Sequence, residues 1–334
     1  MQPRSKFLPL LGTLLVTGGF LLLGWLVYVS LSPGPAPYNY KLVEEGGVDK
    51  FAKLGLKDWP DLAVSKYEVY VENVKKPVAV AHLVKSGEKP PVLLDWESLT
   101  SELLTSVDSK SSELVTLVTA IKKYAPKDAV ILSWWDISRQ IGLLTGRDTL
   151  FPSHHGEPVI IPSHWRERSE AIKNYEEEFW DAPAPAEERR KLQRFADALV
   201  ADVEKGSGIL RELAGSREAY VVLHVSDLYK LGLMRPKSLD LAYKDFPMNS
   251  ANMHGLVNTV KRFKVENNYT TYTLQSLNDR AVRGYFLSNG QDTLLAQMLP
   301  FTETRPLELT KIQLIYQHGG YWVYKIPSVA SPTG

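Results

Sequence analysis

The sequence predicts an α/β fold: a single N-terminal transmembrane helix followed by a mixed α/β exported domain with a β-rich opening subdomain. Three observations carry this. Residues Phe7–Leu31 form one uncharged, apolar run. Lys66–Glu72 alternates, with Tyr67, Val69 and Val71 set against Glu68, Tyr70 and Glu72, the pattern of a half-buried strand. Two short apolar runs, Asp128–Ser133 and Tyr220–His224, are each followed by a helical pattern, and strands alternating with helices indicate an α/β core.

The apolar run exceeds the roughly 20 residues a helix needs to cross a bilayer's hydrocarbon core. Arg4 and Lys6 precede it, and no charge follows it until Lys41. The excess of basic residues on the N-terminal side predicts a cytoplasmic N-terminus and an exported domain, periplasmic in a Gram-negative-type cell. Trp25 and Tyr28 fall near the outer end, where amphipathic rings favour the interface. A cleaved signal peptide is the competing reading, but its apolar region is shorter and its exit carries small residues rather than prolines.

Residues 1–6 thus read as a cytoplasmic tail, 7–31 as the membrane helix and 32–45 as a proline-rich linker. Residues 46–96 read as the β-rich subdomain and 97–330 as the α/β domain. Val78–Val84 and Val92–Asp95 are further strands of the opening part. Glu97–Tyr124, Trp165–Trp180, Ala186–Glu204 and Ser250–Phe263 carry helical spacing, the first with a break near Ser109–Ser112. Tyr269–Leu274, Ala281–Leu287, Ile312–Tyr316 and Tyr321–Ile326 alternate, with a Gly319-Gly320 hairpin between the last two.

Composition excludes several chemistries. Lys and Arg total 39 against 38 Asp and Glu, so no overall basic charge favours nucleic acid. The absence of cysteine removes thiolate nucleophiles, Cys-ligated zinc, iron–sulfur clusters and covalent c-type haem. Ser133 lacks a nucleophile elbow, and no glycine-rich phosphate loop is present. No cofactor is expected.

The most informative stretch is Ser133-Trp-Trp-Asp-Ile-Ser-Arg-Gln-Ile141, continuing to Gly146-Arg147. It follows a buried strand, and binding groups collect at the carboxyl ends of strands in open α/β sheets. Trp134 and Trp135 offer faces for stacking on a ligand or partner, and Asp136 an acceptor, with Arg139 and Arg147 as candidate partners for its charge. The structural alternative makes the tryptophans packing residues and Asp136 the cap of the next helix. A second candidate is the proline-flanked loop bearing His154, His155 and Glu157, with His164 shortly after. Imidazole and carboxylate suit borderline metals, but no metal-binding spacing supports a site, and the loop reads first as an apo surface or partner-interface loop.

Two resemblances follow from these residues. Trp134-Trp135-Asp136 after a strand, Gly146-Arg147, Asp227-Leu-Tyr-Lys230 after a second strand and a final strand ending Tyr324-Lys325-Ile326 resemble the exported domain of the oligosaccharyltransferase catalytic subunit, in which the Trp-Trp-Asp signature helps hold the acceptor hydroxyl residue. Ile137, Ser138 and Arg139 depart from that family's pattern, and a single membrane helix cannot supply its catalytic carboxylates. The single anchor, the length, Ser133–Ile141, Leu143-Leu144 and the later proline-rich histidine loop are similar to the hydroxylamine oxidation protein HaoB family, found beside hydroxylamine oxidoreductase in ammonia- and methane-oxidising bacteria. That resemblance implies a non-enzymatic, membrane-bound accessory subunit of a periplasmic multihaem c-type enzyme. The alternatives are an exported glycan- or peptide-binding module and a metal-dependent enzyme at the histidine loop.

Overall fold

The computed structural model describes residues 7–31, 34–155, 160–181, 184–248, 253–278 and 281–327. Helix α1, Phe7–Leu31, spans the whole apolar run. Its described side chains cover residues 11–27, and many of them, including Leu14, Leu15, Phe20, Leu21, Leu22 and Trp25, are exposed. Among the described residues no helix is long and apolar enough to cross a membrane.

Strands β1 (Tyr38–Gly47), β2 (Ala63–Val71), β3 (Ala79–Lys85) and β4 (Val92–Ser98) form an antiparallel meander. The expected linker therefore ends earlier than its composition implied, because Tyr38–Gly47 pairs with β2 as an edge strand. Its residues are mostly exposed, so no continuous apolar alternation marks it in the sequence.

Helix α2 is shorter than its periodicity, running only over Ser111–Tyr124. Asp95 accepts the Ser111 amide at 2.8 Å, and Asp108 accepts the Ser98 amide at 2.7 Å, so side chains hold residues 99–110 as a connection between β4 and the helix. The central sheet has the order β11-β12-β7-β5-β6. Its strands are β5 (Val130–Ser133), β6 (Asp148–Thr149), β7 (Ala219–His224), β11 (Gln313–His318) and β12 (Tyr321–Ile326). Strands β5 and β7 run parallel, and both are buried at every position, as a sheet covered on both faces requires.

Around this sheet lie α3 (Trp135–Thr145), α5 (Ala186–Val200), α6 (Val203–Ala214) and α7 (Asp227–Met234), while α4 (Ser169–Trp180) packs on the opening meander through Ile172 and Trp180. A turn of 3-10 helix, Ser163–Arg168, replaces the first part of the helix expected from Trp165. A third sheet, β8-β10-β9, joins Asp240–Pro247, Ala281–Asn289 and Thr271–Asn278, with α8 (Met253–Glu266) against it. Buried Arg283 fastens this sheet to the rest of the domain by pairing with Asp245 and Asp108.

The final hairpin is as the glycine pair predicts. Gly319 takes the left-handed conformation, φ 55°, and the Gly320 amide donates to Glu113 on α2 at 2.8 Å. A Cβ on Gly320 would lie 2.2 Å from Nε2 of His224, a buried ring at the end of β7. Gly320→Ala is expected to destabilise the fold by about 1–3 kcal/mol, the usual cost of overpacking. An unchanged melting temperature by circular dichroism would show that this hairpin is free to shift.

Candidate functional site

Because β5 and β7 are parallel neighbours, the helices that follow them start at the same edge of the sheet. This puts the first turn of α3, with Asp136, beside the first turn of α7, with Asp227 and Lys230. Lys230 Nζ donates to Asp136 at 2.5 Å and to Asp227 at 3.1 Å, and lies 5.7 Å from the Trp134 ring centre. Asp136 also accepts the Ile137 amide at 2.7 Å, and Asp227 the His224 amide at 2.8 Å. Both carboxylates therefore sit in first turns, where the helix dipole favours negative charge.

The partners expected for Asp136 are different. Arg139 donates instead to the Pro91 carbonyl at 2.7 Å, and its neighbour Gln140 to the Leu93 carbonyl at 2.8 Å, so α3 holds the start of β4. Arg147 donates to the Lys122 and Ala125 carbonyls at the end of α2. Asp136 is not the helix cap either, since α3 begins at Trp135 and its cap position is Trp134. The hydroxyl of Ser226, just before α7, contacts His224 Nδ1 at 2.6 Å.

The two tryptophans have separate fates. Trp134 is core, 1% exposed, and packs against Phe195. Trp135 is half-buried, with His154 edge-on at 4.5 Å and His155 at 5.9 Å between ring centres. His154 also stacks on Trp180 at 4.6 Å. Burial, then the nearby Arg139, lowers the His154 pKa to about 2, so this ring is neutral at neutral pH. Burial lowers His155 to about 4, with Arg189 and Arg139 adding to the effect, and its approach to Glu188 at 4.0 Å is then no ion pair at neutral pH.

His164 stands apart from these rings. It is exposed, 3.7 Å from Glu102 and edge-on to Trp165. Glu157 lies outside the described residues. Among the described residues no group of three or more His, Asp or Glu could hold a metal ion.

One carboxylate near the site escaped the sequence reading. Glu176 on α4 is 3% exposed and accepts from Tyr38, from Tyr40 at 2.9 Å and from Trp180 at 2.5 Å. Burial raises its pKa, against the opposing effect of these three donors. Ile172, Glu176 and Trp180 recur every fourth residue on one helix face, so a glutamate on an apolar stripe was the available signal. Trp135, Asp136, Arg139, His154, Glu176 and Lys230 all line one cavity of about 50 Å³ beneath β4.

A family model described as "HaoA-associated protein HaoB" matches residues 4–326. No curated protein matches the chain. Among solved structures, a crystal structure of the C. jejuni PglB C-terminal domain aligns with a TM-score of 0.37 at 11% identity, covering 64% of this chain and 98% of that one.

Burial pushes the Asp227 carboxyl up to about 6, against the pull of Lys230, while the two carboxylates raise the Lys230 ammonium against its own burial. A raised carboxyl pKa means that the folded chain binds the proton more tightly. Its stabilising contribution is thus full below its ordinary pKa and lost as pH rises through about 6. Lys230→Met leaves the buried Asp227 carboxylate and the half-buried Asp136 carboxylate without their cation and is expected to cost about 3–5 kcal/mol. The loss should be largest above pH 6 and shrink toward pH 5, where a proton substitutes for the ammonium. Denaturation midpoints at pH 5 and pH 8 check this; a pH-independent loss would mean that the carboxylates do not carry it.

Proposed function

The chain belongs to the HaoA-associated HaoB family, and from that membership we propose that it is a membrane-anchored periplasmic accessory subunit that binds and tethers HaoA, the multihaem hydroxylamine oxidoreductase, in hydroxylamine oxidation. The observation that carries the proposal is the family match, which spans nearly the whole described chain rather than one motif. The anchoring part rests on α1, 25 residues without a charged side chain, preceded by Arg4 and Lys6. Counted over the whole run Phe7–Leu31, rather than over residues 11–27 whose side chains are described, the helix has the roughly 20 residues needed to reach across the hydrocarbon core.

The site supports a binding role better than a catalytic one. Asp136 and Asp227 are both engaged by Lys230, and the nearest imidazoles are held neutral by burial. Ser133 is buried and bonded to Ser138, with no base on it among the described hydrogen bonds. Trp135, half-buried beside Arg139, is the proposed contact residue, because large aromatic side chains at partly open positions dominate binding energies. Trp134 contributes only through the packing beneath it.

The test is fractionation followed by gentle detergent extraction from native membranes. The protein is expected in the membrane fraction after an alkaline wash, and HaoA is expected to co-elute with it. Trp135→Ala should weaken that co-elution by roughly thirtyfold, about 2 kcal/mol, without unfolding the domain. Recovery in the soluble fraction would remove the anchor, and elution free of HaoA would remove the tether.

A further inference from the structure

Glu176 is a buried carboxylate with no part in holding a partner. Three donors converge on it: the phenols of Tyr38 and Tyr40, both at Oε1, and the Trp180 indole at Oε2, 2.5 Å away. An ionised carboxylate is acceptor-only, and this is the surrounding it takes. All three donors are rings that can give up one electron, and each becomes strongly acidic when it does. The proton then needs an acceptor within hydrogen-bond reach, and one carboxylate stands in reach of all three. Burial raises the Glu176 carboxyl above its ordinary value, which favours taking that proton.

The rings also form a continuous path outward. Trp135 is half-buried, and His154 lies edge-on to it at 4.5 Å between ring centres. His154 stacks on Trp180 at 4.6 Å, with the planes 16° apart. Trp180 lies 6.4 Å from Tyr40, and Tyr40 5.8 Å from Tyr38. Tyr38, Glu176 and Trp180 are each 3% exposed, so the inner end of the path is shielded from water. His154 is neutral, so the bridging ring carries no positive charge to oppose an electron hole.

We propose that these residues are a one-electron relay, in which a strong oxidant of the high-valent haem class at Trp135 draws an electron from the Tyr38–Tyr40 pair through Trp180 and His154 while Glu176 takes the phenolic proton. Trp135 loses one electron to the oxidant, and Trp180 and then the tyrosine pair refill it in turn. The phenolic O–H bond breaks, its electron leaves along the rings and its proton passes to Glu176 Oε1. The products are a neutral phenoxyl radical, a neutral carboxylic acid and an oxidant reduced by one electron. No charge is left in the buried cluster, where an unpaired charge is costly. The relay leads an oxidising equivalent away from the contact face and adds to the tether without carrying it. That the oxidant belongs to a haem partner rests on the tethering reading; the relay itself does not.

The experiment is laser flash-quench oxidation of the full-length protein in detergent, with ruthenium(III) tris-bipyridine generated in solution and ascorbate added after the flash. A phenoxyl radical that outlasts ascorbate is expected by electron paramagnetic resonance, because surface phenoxyls such as that of exposed Tyr124 are reduced first. Its formation is expected to slow in D2O. Tyr38→Phe combined with Tyr40→Phe should remove the signal, and Trp135→Phe should slow its appearance. Glu176→Gln should slow it by about a hundredfold, the low end of what a positioned proton acceptor contributes. Melting temperatures show which variants fold; where a variant of the buried residues does not, the D2O comparison and Trp135→Phe decide. No ascorbate-resistant phenoxyl in the wild type, a signal that survives the double tyrosine change, or formation unaffected by D2O, by Trp135→Phe or by a folded Glu176→Gln would each overturn the relay. HaoA takes no part in this measurement, so failure of the tether leaves its outcome unchanged.

Discussion

The ammonium of Lys230 between the carboxylates of Asp136 and Asp227 is the contact on which the arrangement of the domain depends. It joins the first turns of α3 and α7 at the carboxyl edge of the central sheet, and it lies 94 residues from Asp136 in the chain. The surrounding residues are organised by the same constraint. Once α3 is held there, Arg139 and Gln140 reach the carbonyls at the start of β4, which brings the opening meander against the α/β core. Removing one member of such a charged group leaves the others unpaired, so any displacement of α3 against α7 that separates Lys230 from the two carboxylates is penalised.

Local pattern made the scaffold legible, and partnership did not. Strands β5 and β7 were readable because total burial on both faces gives uninterrupted apolar runs. The final hairpin was readable because its tight turn uses Gly319 at positive φ. Edge strand β1 was not, since exposure on most positions erases the alternation. The end of α2 was clear, and its start at Ser111 lies inside the break read at Ser109–Ser112, but the non-helical course of residues 99–110 was hidden, because Asp95 and Asp108 bind the amides of Ser111 and Ser98 from outside the helix.

At the site, residue types were informative and pairings were not. Trp134, Trp135 and Asp136 do lie at the end of a buried strand, yet one ring is core, one is half-open, and the carboxylate faces a lysine from another helix. Arg139 and Arg147 were reasonable partners by proximity in sequence. Asp136 and Arg139, three apart on a helix, have favourable spacing, yet they diverge because the Pro91 carbonyl just before β4 takes the guanidinium. The histidines separated for a similar reason: aromatic stacking with Trp135 and Trp180 fixes His154, while His164 faces solvent.

The geometry of the tether limits what the domain can do once α1 is placed in a bilayer, as proposed above. Residues 32–37 lie between the end of α1 and the start of β1. Six residues of any conformation reach at most roughly 20 Å. The first strand residue, Tyr38, is 3% exposed and bonded to Glu176 on α4. The same helix supplies Trp180, which stacks on His154 at the cavity. Opening sheet and cavity are therefore joined through one buried aromatic cluster, which begins at the first residue of β1. A partner bound at Trp135 would be held at a restricted distance and orientation from the membrane, and tethering would act by raising its local concentration there rather than by any chemistry at the site.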